Sequence, residues 1–209
     1  MAKNLSPKCK MCRREGEKLL LKGDRCFTQK CSIVRRNYVP GMHGPASSKN
    51  MSDYNIHLRE KQKAKKIYGL LEKQFKNYFI KANKKEGVTG DLLLQLLEGR
   101  LDNVIFRLGI VKSRNGARQI VGHRHVKVND RIVNIPSFQV SIGDKISIKE
   151  NSLKKAYFSN LLKIKSTESI PSWLRKDVKN LKGEVVDLPK IDEIDSSINT
   201  QLIVEYYSK

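Results

Sequence analysis

Four cysteines carry the sharpest chemistry in this sequence. Cys9, Cys12, Cys26 and Cys31 are the only ones it has, spaced as Cys-x2-Cys, 13 intervening residues, then Cys-x4-Cys. A two-residue gap lets one tight turn aim both sulfurs at a point. A loop of roughly a dozen residues then brings the second pair round to close a tetrahedron. This spacing predicts one structural zinc ion held by four thiolates, with no open position for catalysis. Four buried free thiols are the plainer alternative, and disulfides would need an oxidising compartment that nothing here indicates. Lys8, Lys10, Arg13, Arg14, Arg25 and Lys30 lie around the pairs and would help hold the sulfurs deprotonated.

A metal would also answer a folding problem. The run LLL at 19–21 is the one strong apolar stretch of the head, too little for a segment of about forty residues to fold alone. Zinc would supply that free energy and present Arg13, Arg14, Lys18, Lys22 and Arg25 on one small body. Beyond it, RRNYVPGMHGPASSKN reads as an extended basic linker over 35–50, lying along its partner. His43, in the Gly-Met-His-Gly stretch, reads as a loop residue or RNA contact, because four sulfurs already complete the metal site.

The elements behind this head are basic too. The 209 residues hold 42 Lys+Arg against 21 Asp+Glu, a net +21. Residues 1–90 alone hold 22 against 7, whereas 151–209 hold 10 against 8. A charge of this sign and placement predicts a polyanionic partner, nucleic acid rather than a membrane surface. No apolar run reaches the ~18 residues of a membrane span. MAKNLSPKCK has no apolar stretch behind its lysines, so a cytosolic location is expected. Hydrophobic residues make up 39%, below the usual ~45–50%, enough for one or two cores with appendages.

From Asp53 onward Ala64, Ile67, Tyr68, Leu71, Phe75, Tyr78, Phe79 and Ala82 recur at helical spacing, predicting an amphipathic helix. Arg59, Lys61, Lys63, Lys65, Lys66, Lys73 and Lys76 cover its remaining surface, with Glu60 and Glu72 opposing them. Phosphates would relieve that repulsion. Residues 89–109 read as two short core helices broken at Gly99 and stopped at Gly109, with Thr89 or Asp91 as cap.

Residues 100–150 are the most specific stretch. Ser113 is placed to cap a helix through Ala117, Ile120 and Val121 that carries Arg114 and Arg118 on one side. His123-Arg124-His125 then leads into a strand with Val126 and Val128 on one face and His125 and Lys127 on the other. Asn129-Asp130 makes a hairpin turn, Pro136 breaks the pairing, and KISIKE returns as a strand. Two helices beside a curved sheet would put Arg114, Arg118, Arg124 and Lys127 on one convex surface.

This stretch resembles the RNA-binding module named after the fourth small-subunit ribosomal protein, the S-four module: RLDN, the SRNGARQIVGH segment, then VKVN and a basic hairpin. The likeness runs head to tail through the four cysteines, PGMHG, LREKQK at 58–63, GVTG at 87–90, PSWL at 171–174 and the closing QLIVEYYS. The chain therefore resembles the S-four ribosomal protein family, bacterial type, in its zinc-containing form. Three positions depart from it: Gly116, Arg124 where several relatives have glycine, and Asp130 in the hairpin turn.

The resemblance implies a structural constituent of the small ribosomal subunit in the cytoplasm. It implies early binding to a helix junction in the rRNA 5′ domain, nucleating assembly, near the mRNA entrance, with influence on decoding accuracy. Neighbouring small-subunit proteins, the S-five family among them, would be partners, along with mRNA; no membrane or small-molecule substrate is expected. The expected fold is α+β. A zinc segment and linker occupy 1–45 and a helical domain 46–98, the latter sharing part of 170–209. The module covers 99–165, with strands and loops at 166–209.

RNA contacts are expected from Arg13, Arg14, Lys22, Arg25, Arg35, Arg36, His43, Arg59, Lys61, Lys63, Lys65, Lys66, Arg100, Arg107, Arg114, Arg118, Gln119, His123, Arg124, His125, Lys127 and Asn129. Gln119 and Asn129 have a structural alternative, satisfying backbone groups at a helix end and a turn. Toward the C-terminus, Ser152 is placed to cap a helix through Leu161-Leu162, Trp173 and Leu174 to plug a core, GEVVDLP and QLIVEYYS to form strands, and IDEID to form an acidic loop. Neither flank offers a phosphate-binding glycine loop or a nucleophile–base pair, so no catalysis is expected. A free RNA-binding assembly or regulatory factor with the same module is the alternative.

Overall fold

In the computed structural model, residues 3–46, 51–163, 170–177, 181–194 and 197–208 are described. The chain divides into two compact units, 1–94 with 195–209 and 95–194. The cysteine head and the basic helices thus share the first unit, which is completed by the C-terminus.

In that unit α1 (Lys8–Glu15) starts after Pro7, whose carbonyl accepts the Lys10 and Met11 amides, and stops at Gly16. A single 3-10 turn (Gly23–Phe27) and the short α2 (Ser32–Arg35) follow. The expected extended linker folds back instead. Arg13 donates to the Tyr38 and Val39 carbonyls at 2.9 and 3.3 Å and stacks on the Tyr38 ring. Residues 47–50 of that expectation lie outside the described residues.

The long basic segment is two helices rather than one, α3 (Asp53–Ile67) and α4 (Glu72–Asn83). Gly69 sits between them at φ 65°, a left-handed conformation that glycine takes without strain. The apolar spacing runs on across the break because Leu70 and Phe75 stay in the core. α5 (Thr89–Glu98) carries Leu93, Leu94 and Leu97 as buried positions.

The second unit continues with α6 (Leu101–Arg107) and α7 (Arg114–Gly122). Ser113 caps α7 by accepting the Gly116 amide at 3.2 Å. Next come β1 (Val126–Val128), β2 (Arg131–Ile132) and β3 (Lys145–Ile148). Asn129 and Asp130 turn the hairpin at φ 47° and 64°, a two-residue turn whose twist suits paired strands. The short α8 (Glu150–Leu153) and α9 (Ala156–Lys163) precede β4 (Leu174–Asp177) and β5 (Lys182–Val185). All five strands join one antiparallel sheet in the order β2-β1-β3-β5-β4. Val126 faces Ile148, Val128 faces Ile146, and Ile146 faces Gly183. A Cβ on Gly183 would lie 2.5 Å from the Leu108 side chain, so only glycine lets α6 pack this closely on the sheet. Trp173 and Leu174 do plug this core, beside Phe158 and Leu181.

Two expectations from the C-terminal sequence are corrected. QLIVEYYS is not a strand but lies within α10 (Thr200–Ser208), in the first unit. Its β-branched and aromatic residues suggested a sheet, but the Asn199 side chain accepts the Gln201 and Leu202 amides and opens a helix, and Ile203 is buried where α10 packs along α3. Ser152 does not cap a helix; it is buried within α8, with its hydroxyl 2.9 Å from His125 Nδ1. The Leu161 and Leu162 side chains lie outside the description. The acidic 191–194 stretch holds a 3-10 turn, Ile191–Glu193, and Glu193 accepts the Ser172 amide at 2.8 Å.

Candidate nucleic-acid interface

Helical spacing puts Cys9 and Cys12 on successive turns of α1, the 3-10 turn carries Cys26, and Cys31 stands at the N-cap of α2. Cys12, Cys26 and Cys31 are buried and Cys9 is half-buried. The Lys22 amide points at Cys26 Sγ from 3.4 Å. Burial pushes the Cys12 thiol up, a backbone hydrogen bond from Leu19 opposes that, and the other three cysteines push it further up. All four thiols therefore share one neighbourhood. Among the described residues, no group of three or more His, Cys, Asp or Glu side chains is posed as a ligand set for a metal ion.

The cations nominated from the sequence fall into two classes. One class is turned inward. On α3, Arg59 and Lys66 pair with Glu15, whose side chain is 1% exposed. Lys61 and Lys65 meet Glu72 at 2.7 and 2.9 Å, and Lys63 meets Glu60 and Glu17 at 3.1 and 3.2 Å. Burial alone would raise the Glu72 carboxyl, but the hydrogen bonds and charges of Lys61 and Lys65 outweigh it and hold the group at about 2.

The arginines of 100–118 are inward as well. Arg100 grips Asp102 with two bonds of 3.0 and 2.7 Å, both side chains nearly sealed from water. Arg107 grips Glu98 with two bonds of 2.9 Å. Asn103 donates to Glu98 at 2.7 Å and accepts from Arg114 at 2.7 Å, while Arg118 reaches to 3.9 Å from Asp102. The expected convex surface therefore loses Arg114 and Arg118. Glu98, fully buried, anchors this frame. Its nine-residue separation from Arg107 matches no helical period, so sequence spacing gave no signal for it.

The other class faces water: Arg14, Lys22, Arg25, Arg35 and Arg36 in the first unit and Arg124 in the second, with Lys127 half-exposed; the His43 and His123 side chains are exposed as well. Arg13 is instead the clamp on Tyr38. Asn129 takes its structural alternative, donating to Asp144 at 2.7 Å and accepting the Lys145 amide at 2.9 Å. Gln119 is exposed on α7. Arg124 sits at φ 61°, a costly conformation for a residue with a Cβ.

His123 and His125 lie 6.1 Å apart at the end of α7, and the Lys149 amide bonds the His125 carbonyl at 2.9 Å. Burial, then the charges of Lys155, His123 and Lys149, hold His125 below its ordinary value. Positive potential is thus concentrated on this edge, with Lys149 and Lys155 as members the sequence reading missed. Such an edge suits phosphate groups.

Two family models match in succession: "Ribosomal protein S4/S9 N-terminal domain" over residues 3–98 and "S4 domain" over 99–146. Among curated relatives, small ribosomal subunit protein uS4 of Acidobacterium capsulatum is 53% identical over 209 residues, covering 100% of both chains. The proteins of the same name from Caldicellulosiruptor bescii and Syntrophus aciditrophicus are each 52% identical, again over 100% of both.

Proposed function

The chain belongs to the bacterial small ribosomal subunit protein uS4 family, and from that premise we propose that it is a structural, non-catalytic constituent of the small subunit that binds its rRNA. The observation that carries this reading is the end-to-end match at about half identity, joined to an edge where Arg124, Lys149 and Lys155 gather beside His123 and, among the described residues, no carboxylate pairs with these three cations. The partners are rRNA and neighbouring small-subunit proteins, in the bacterial cytoplasm; among the described residues no helix is long and apolar enough to cross a membrane.

A double-helical RNA hides its base edges in a deep groove, so a rigid protein reads backbone shape and 2′-hydroxyls. The internal polar contacts serve that readout by fixing the scaffold: Arg107 ties α6 to Glu98, while Arg114 on Asn103 and Arg118 near Asp102 tie α7 to α6, and α7 delivers His123 and Arg124. The finer reading is a junction in the rRNA 5′ domain, bound early in assembly near the mRNA entrance, with an effect on decoding accuracy.

The zinc belongs to this proposal. Cys9, Cys12, Cys26 and Cys31 would hold one structural ion, supported by their shared neighbourhood and by the amides aimed at Cys12 and Cys26, which favour thiolates. When bound, zinc would close the head and add folding free energy.

Fractionation of cells carrying a tagged copy tests the function. One copy per mature small subunit is the expected result. Presence only on immature particles would favour a free assembly factor.

A further inference from the structure

Two successive helices of the first unit treat their charge in opposite ways. On α3, each of Arg59, Lys61, Lys63, Lys65 and Lys66 has a carboxylate partner. On α4 and the residues just after it, Lys73, Lys76, Lys81, Lys84 and Lys85 are exposed. Among the described residues no carboxylate pairs with any of the five.

At 3.6 residues per turn, Lys73, Lys76, Asn77, Ile80, Lys81 and Lys84 fall within about 140° of arc and along about 16 Å. Phe75, Phe79 and Ala82 occupy the opposite, buried side. Cations near a helix C-terminus are favourable for the helix itself, which accounts for Lys81, Lys84 and Lys85. It does not account for Lys73 and Lys76, which stand in the first turns, at the positive end of the dipole. Glu72, the acidic residue of that turn, is already neutralised by Lys61 and Lys65. Like charges three apart, Lys73–Lys76 and Lys81–Lys84, then repel at both ends of the stripe.

An external row of anions would remove both costs. Ile80 is the sole large apolar side chain on this face, so a bilayer would gain little burial there. Lysines neutralise a phosphate backbone as point charges without reading bases.

We propose that the exposed face of α4 is an RNA-backbone docking surface, with Lys73, Lys76, Lys81 and Lys84 on phosphates, and that the α3 cations hold the unit together instead of touching RNA. The inference rests on the rRNA reading above and extends it to a face which that reading leaves unassigned.

The test compares the full-length chain with K73Q/K76Q/K81Q/K84Q, whose exposed changes should leave the far-ultraviolet circular dichroism unaltered. Binding is measured to an rRNA 5′-domain transcript and to an unrelated structured RNA over a salt series. The expected loss at moderate salt is on the order of tenfold or more, with a log K against log salt slope shallower by about three. The α3 pair R59Q/K65Q should keep the parental slope. Parental affinity and slope in the α4 variant would overturn the proposal, as would an equal flattening by R59Q/K65Q. Unchanged RNA binding with lost binding to anionic phospholipid vesicles would assign the face to a membrane and overturn it too. Failure of the rRNA reading shows separately, as a parent chain that does not prefer the 5′-domain transcript; a flattened slope on both RNAs would still place phosphates on α4.

Discussion

Lys61 holds Glu72 across the break between α3 and α4, with Nζ 2.7 Å from Oε1. The ammonium is buried and lies 4.5 Å over the Tyr206 ring, while Tyr207 donates to the same carboxylate oxygen at 3.0 Å. One exposed glutamate thereby ties two helices to the C-terminal α10. His57 adds a second tie, with Nε2 2.6 Å from Glu205. Basic residues that looked like a binding face are the joints of the unit.

Acid should loosen this joint. The Glu72 carboxyl is held at about 2 against an ordinary 4.5, so its contribution is full above the unfolded value and fades as pH falls from about 4.5 towards about 2. Thermal melting of the parent and E72Q from pH 7 down to pH 2.5 checks this. The variant should melt lower at pH 7, and the two curves should converge in acid. Exposure of Glu72 to solvent keeps the difference small.

Much of the fold could be read from periodicity, and much of the charge could not be assigned from it. The Asn129-Asp130 turn, the Ser113 cap and the inward Val126 and Val128 follow from local rules, because turns and strands are written within a few residues. The Gly69 break did not show, since apolar spacing continues through it. QLIVEYYS misled because composition favoured a strand, while the face that decides it, Ile203 against α3, is set by tertiary packing. Cations were harder still. Whether Lys63 meets water depends on where Glu17, 46 residues before it in the chain, comes to lie. At the cysteines, spacing marks four thiols as one candidate set, with Cys12, Cys26 and Cys31 buried and Cys9 half-buried.

The Glu98 frame should be a stability determinant. Glu98→Ala would leave Arg107 and Asn103 without their buried acceptor, costing about 3 kcal/mol or more. Glu98→Gln keeps an oxygen for Asn103 and should lose less. Urea unfolding followed by Trp173 fluorescence, which reports on the same core, measures both.

Arg124 should trade stability against binding. Arg124→Gly relieves the left-handed backbone and should stabilise the second unit by about 1 kcal/mol, yet weaken RNA binding. Arg124→Ala loses the same cation and keeps the strain. Melting temperatures and RNA affinities of the two variants separate the effects; equal melting would contradict the backbone argument.

Zinc loading should yield one ion per chain by atomic emission, released by denaturing the protein with a chelator present. Cys12→Ser should lower that content and melt the head first, seen as faster proteolysis within residues 1–46. A chain that purifies without metal and resists proteolysis would identify the four residues as packed thiols.

The most direct measurement is binding of the full-length chain to the rRNA 5′-domain transcript and to an equal length of unrelated structured RNA, at moderate and high salt. A preorganised cationic edge predicts a preference that survives as salt rises, because shape complementarity is screened less than bare charge. Equal affinities that collapse together with salt would contradict specific rRNA recognition and leave a basic protein without a site.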